Sequence, residues 1–225
     1  MRVLGLVIGL LWHPVAALKG LRDRAPFGVA VLVAWLATFL YAIAAVVLGS
    51  YAQSGRLFSL PLVRTPQFWL GNMYGAAWNA VLLVLFVGAL YVPFAVLLAN
   101  WFERRASFAL VLREEYAALA SCALAALAVS LLVTLLPAAV ISWQSAWLSS
   151  EAVPGYFVLL LVIPLPIFAA LMTLAVGLIF SIGWGKAVLT TLLSFLSLLG
   201  LLVLIQAAAV VFTVPLLLLL TWRVN

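Results

Sequence analysis

The stretch "FALVLREEYAALASCALAALAVSLLVTLLPAAVIS" (residues 108–142) decides the fold. Its first fourteen residues, to Ser121, are strong helix formers with no Gly or Pro, and beyond Glu115 no charge follows for the rest of the stretch. A helix rises about 1.5 Å per residue, so crossing about 30 Å of bilayer hydrocarbon takes about 20 apolar residues. Tyr116–Ser142 meets that length. Within it, "AALASCALAALAVS" (117–130) carries Ala or Ser at most positions. Apolar helices gain little by hiding from lipid tails, and small residues join them by letting backbones approach closely. The run therefore predicts a membrane helix at the centre of a bundle.

The rest of the chain has the same character. It is 69% hydrophobic and 7% charged, where a soluble domain is about a quarter charged. Five segments read as spans: Phe27–Gly49, Gly75–Ala99, Tyr116–Ser142, Tyr156–Phe180, and a run from Ala187 to about Leu220. The expected architecture is all-α, a polytopic membrane helical bundle of about five transmembrane helices behind a short N-terminal interfacial helix. Residues 1–26 form the lead-in, and residues 27–225 a single transmembrane domain. The last run contains Pro215, and reads either as one kinked helix or as a hairpin that makes six spans. Pro93, Pro137, Pro164 and Pro166 also fall inside spans, and "VIPLPIF" (162–168) is the sharpest break. That break suits a discontinuous helix lining a cavity or a packed kink.

At the N-terminus Arg2 precedes an apolar run, Val3–Leu11, too short to span. A small-residue cleavage site is poorly formed around Val15–Ala17, so the run reads as a helix lying in the interface, with Trp12 at headgroup depth and Pro14 bending the chain.

Formal charge is +6, which in a soluble chain would suggest nucleic acid. In a membrane chain basic residues set orientation instead. With the N-terminus inside, cytoplasmic segments hold Arg2, Lys19, Arg22, Arg24, Arg104, Arg105, Arg113 and Lys186, against Arg56, Arg64 and Arg223 outside. Eight against three predicts a cytoplasmic N-terminus and reads the charge as topology, with no nucleic-acid partner. Trp69, Tyr74, Trp143, Trp147 and Tyr156 flank the outer connections as an interfacial aromatic belt.

Chemistry is sparse. No ionisable carboxylate, Lys, Arg or His lies inside the five spans, which disfavours proton coupling. His13 and Cys122 build neither a zinc site nor a two-histidine haem, and "SIGWGK" (181–186) lacks P-loop spacing. No catalytic residue, metal or cofactor is expected. The polar residues within the spans are Tyr41, Asn79, Ser121, Cys122, Ser130, Thr134, Thr173, Thr190, Thr191, Ser194, Ser197 and Gln206, read mainly as hydrogen-bond links between helices. Asn79, Thr173 and Gln206 are the candidate intramembrane polar contacts.

"ANWFERRASFALVLREEYAAL" (99–119) holds six of the sixteen charged residues. Ser107 is a fitting N-cap. Arg113, Glu114 and Glu115 fall about 100° apart around the helix, so they do not converge as a general acid/base pair. Arg104 and Arg105 beside Trp101 and Phe102 suit anchorage on anionic headgroups. With Arg113, Glu114, Glu115 and Tyr116 they form the candidate interaction surface, for cytoplasmic-side anionic lipids and for a protein partner or second copy.

Two segments carry a family resemblance: "LLWHPVAALKGLRDRAP" (10–26) and "FERRASFALVLREEYAALAS" (102–121). With five spans and a hydrophobic C-terminus, they resemble the Yip/Yif (Rab-interacting-protein-like) integral membrane domain in its prokaryotic form. The resemblance implies a five-span α-helical domain of a prokaryotic inner membrane that acts through partners or lipids, with no catalytic residues. The eukaryotic branch has a long polar N-terminal region where this chain has about 26 residues, so Rab binding is not implied. The function expected is that of a non-enzymatic scaffold or accessory subunit in membrane organisation, lipid handling or complex assembly. The alternative is a small permease or exporter subunit for an apolar or lipid-like substrate, suggested by the Pro-bearing second and fourth spans and by Asn79, Thr173 and Gln206.

Overall fold

A computed structural model describes residues 2–54, 66–103, 107–145 and 162–201. Among them every regular element is helical: α1 (Arg2–Gly9), α2 (Pro14–Arg24), α3 (Phe27–Ser54), α4 (Pro66–Leu85), a π-helical turn (Phe86–Tyr91), α5 (Val92–Glu103), α6 (Phe108–Ser145), α7 (Pro164–Phe180) and α8 (Trp184–Leu201). Among the described residues, four stretches are long and apolar enough to cross a membrane: Phe27–Val46, Leu70–Glu103, Phe108–Leu135 and Trp184–Leu201. α7 is equally apolar but has 17 residues. The chain is thus an all-α, multi-pass membrane helical bundle. The expected fourth span is seen in its second half as α7. Whether the run after Ala187 makes one helix or two lies outside the described residues.

α6 is the axis of the bundle. Its apolar window is 83% buried, against 22% for that of α3, and every residue from Ala118 to Leu131 is buried. It packs on α1, α2, α3, α5 and α7. Ala120, Ala123, Ala125 and Ala126 have no exposed surface, so neighbouring backbones reach it from several sides.

The lead-in helices join this core while keeping one face outward. Val7 and Leu10, in and just after α1, and Leu18 and Leu21 of α2 are buried, whereas Trp12 is 76% exposed. The segment expected only at the interface thus also contributes to the bundle. Gly20 makes the α1–α2 crossing close, since a Cβ there would lie 2.8 Å from Leu6 Cδ2. At the end of α2, Arg22 Nη1 donates to the Leu178 carbonyl at 3.1 Å, in the last turn of α7. Carbonyls there lack intrahelical donors and carry the negative end of the helix dipole, so the guanidinium satisfies both. Its ion pair with Asp23 at 3.2 Å is exposed and contributes little.

The hydroxyls behave differently from the sequence expectation. Thr38, Ser121, Ser130, Thr134, Thr173, Thr190 and Ser194 each donate to a carbonyl three or four residues earlier in their own helix, at 2.7–2.8 Å. A short hydroxyl reaches that carbonyl without ordering a second helix. Helices are joined by Tyr116 Oη donating to the Gly88 carbonyl at 3.1 Å, by Arg22, by the Cys122 thiol against the Leu18 carbonyl at 3.8 Å, and, as the sequence suggested, by a side-chain hydrogen bond between Tyr41 of α3 and Thr134 of α6.

Candidate functional site

Between α4 and α5 the helix widens for one turn. The Val92 N–H donates to Val87, five residues back, rather than to the usual fourth. Pro93 explains why the widening falls here, because it has no N–H to donate and clashes with the carbonyl four residues earlier. Continued by one residue, that register sets the Gly88 carbonyl opposite Pro93, which has no N–H to give it. The Tyr116 hydroxyl supplies a donor from α6. Such π turns inside helices recur at functional sites.

The widened turn swings Tyr91 into the bundle. Its ring centroid lies 5.5 Å from that of Phe168 on α7 and 5.2 Å from that of Phe195 on α8, and the latter two lie 5.6 Å apart. Tyr91–Phe168 and Phe168–Phe195 meet edge to face, the arrangement that ring quadrupoles favour. Tyr91 is fully buried; its hydroxyl approaches that of Thr191, yet neither completes a hydrogen bond.

These three rings form one wall of a cavity of about 350 Å³. α3 contributes Thr38, Tyr41 and Ala42, α6 contributes Leu127, Ser130 and Leu131, and α7 begins at its rim with Pro164 and Leu165. The "VIPLPIF" break is therefore cavity-lining, and both prolines sit in the first turn of α7, where a missing N–H costs nothing. Among the described residues the lining is almost wholly apolar and carries no charge. Thr38 and Ser130 donate their hydroxyls to their own helices. The volume lies in the range of about 300–1,000 Å³ typical of small-molecule sites.

A second, open groove of about 630 Å³ adjoins the cavity. Thr38, Leu83 and Phe86 border both spaces, and the groove continues past Leu82, Leu85 and Leu90 with Asn79 on its lining. Asn79 is exposed along a membrane-spanning helix, and its amide pairs with no described residue.

The residues singled out from sequence divide. Asn79 belongs to the groove. Thr173 is buried and bonded to Ala169 in its own helix, away from the cavity lining. Gln206, Arg104 and Arg105 lie outside the described residues. Trp101 is 73% exposed and stacks on Phe102 with centroids 6.5 Å apart, while Arg113 and Glu114 are exposed and Glu115 is half-buried. Tyr116 is tied inward to Gly88, and its ring lies 6.1 Å from that of Phe27, so it belongs to the bundle more than to the charged surface. Among the described residues no group of three His, Cys, Asp or Glu side chains is placed to hold a metal ion.

Sequence reading missed Tyr91, Phe168, Phe195 and Thr38, the residues that shape the cavity. The available signal was Pro93 inside an apolar helix, which marks a missing donor but not the widened turn, since Pro137 sits in α6 within an unbroken α-helix. No family model, curated protein or solved structure matches the chain.

Proposed function

We propose that the chain is a non-enzymatic accessory subunit of the prokaryotic inner membrane, Yip-like in type and with a cytoplasmic N-terminus, that handles lipid or lipid-like molecules within its helical bundle. One observation carries this reading: the cavity walled by α3, α4, the π turn, α6, α7 and α8, uncharged and nearly all-apolar among the described residues. A site that takes ions or polar solutes needs converging polar groups, and here the Thr38 and Ser130 hydroxyls are engaged by their own helices and that of Tyr41 by Thr134. The exposed Trp101–Phe102 stack and Arg113 suit a cytoplasmic surface for anionic headgroups or a protein partner.

The test is the lipid that stays with the protein. Purified in mild detergent and analysed by native mass spectrometry, the chain should retain apolar lipid enriched over the bulk membrane extract. Retention indistinguishable from that of an unrelated helical bundle of similar size would defeat the reading. The open groove on the other side of Thr38, Leu83 and Phe86 favours a second reading, a permease or exporter subunit for such molecules. Flux of an apolar probe across vesicles carrying the chain alone would select it over a holding role.

A further inference from the structure

Resting on that lipid-handling reading, we infer that the groove and the cavity together form one binding site for a single acyl chain of an ester-linked bilayer lipid. In this site the Asn79 amide holds the ester carbonyl, and the methyl end of the chain passes Phe86 to end against Tyr91, Phe168 and Phe195. Asn79 is the starting point. An amide on a lipid-exposed helix face has two donors and an acceptor to satisfy where water is scarce, and leaving them unpaired is costly. No described residue satisfies them. The carbonyl accompanying every ester-linked chain in the bilayer is an acceptor of the right kind, and it carries no charge into an uncharged groove.

The geometry suits a chain. Asn79 and Phe86 are separated by seven residues, about 10 Å along the helix. One leaflet's hydrocarbon is about 15 Å deep, so a chain anchored at Asn79 has length left over to enter the cavity. The surface it follows is Leu82, Leu83, Leu85 and Leu90, and the walls common to both spaces are Thr38, Leu83 and Phe86. Because the Thr38 hydroxyl donates to Ala34, the passage presents hydrocarbon and ring edges to the chain. The π turn has a role in this site, since it brings Phe86 to the boundary and Tyr91 to the end wall in one widened turn. Affinity need not be high, because the bilayer supplies acyl chains at very high local concentration.

The test uses the full chain in vesicles of phosphatidylglycerol and phosphatidylethanolamine doped with a phospholipid bearing a diazirine near the end of one acyl chain. Photolabel should map to peptides containing Tyr91, Phe168 or Phe195. Asn79→Leu should lower that labelling about threefold to tenfold, the size of one hydrogen bond formed in hydrocarbon, and Asn79→Gln should restore part of it. Ala42→Phe, which fills the cavity from α3 without touching Asn79, should abolish labelling at the three rings while leaving labelling along the lipid-facing groove.

Equal labelling of the rings in wild type and Ala42→Phe would overturn the inference, as would labelling of the rings by a diazirine fatty alcohol but by no ester lipid. Lipid enrichment in the purified protein without any cavity label would overturn this site and leave the lipid-handling reading standing. Absence of both enrichment and label would remove the two together.

Discussion

Ala123→Leu should destabilise the bundle by about 1–3 kcal/mol, the cost of forcing extra methylenes into a filled interior. Ala123 has no exposed surface, and it sits in a run where every residue from Ala118 to Leu131 is buried against surrounding helices. A membrane helix adjusts to a larger residue by moving outward into lipid, but α6 has neighbours in α1, α2, α3, α5 and α7 and has no free side on which to move. At about 2–4 °C per kcal/mol for a chain of this size, the midpoint of thermal unfolding in detergent should fall by several degrees. The same substitution at Ala109, outside the buried run, should leave the midpoint within about a degree. A midpoint unchanged in Ala123→Leu would mean that α6 is not the packed axis.

The second large effect concerns orientation. Replacing Arg104, Arg105 and Arg113 by Glu lowers the proposed cytoplasmic count of basic residues from eight to five, against three outside. Acidic residues contribute little to orientation, so the loss of the three positive charges is what matters. The variant should insert as a mixture of two orientations, read by labelling a single reporter cysteine in the α1–α2 turn from each side of intact vesicles, in a Cys122→Ala background. Cys122 is buried and is the chain's one cysteine, so its removal leaves a clean reporter. Uniform one-sided labelling of the triple variant would show that these residues do not set orientation.

Much of the fold was legible because lipid imposes simple rules. Each backbone group must be paired within its own helix, so apolar length alone marks a span, and the Ala/Ser run of 117–130 marks the helix that others approach. Connection of the lead-in to the core was less legible. Leu18 and Leu21 look the same in sequence whether they dip into lipid or pack on α6 and α7, and only Arg22 reaching the end of α7 distinguishes the two.

The candidate site was the least legible part, for a physical reason. Sequence reading looks for polar groups at depth, and here the cavity is shaped by aromatic and aliphatic side chains brought together from six elements. Tyr91 gave no periodic signal, since its placement depends on a π turn that shifts helical phase. Asn79 was legible because a polar residue in a hydrocarbon run stands out, whereas Thr173, equally conspicuous, is satisfied within its own helix.

The most direct test of the central claim is an experimental structure of the full chain in a lipid nanodisc made from native membrane extract. Elongated density running from beside Asn79 past Phe86 to the Tyr91–Phe168–Phe195 wall, absent from Ala42→Phe, is the result expected. A cavity closed by side-chain rearrangement, or filled by the chain's own residues in both proteins, would contradict the account.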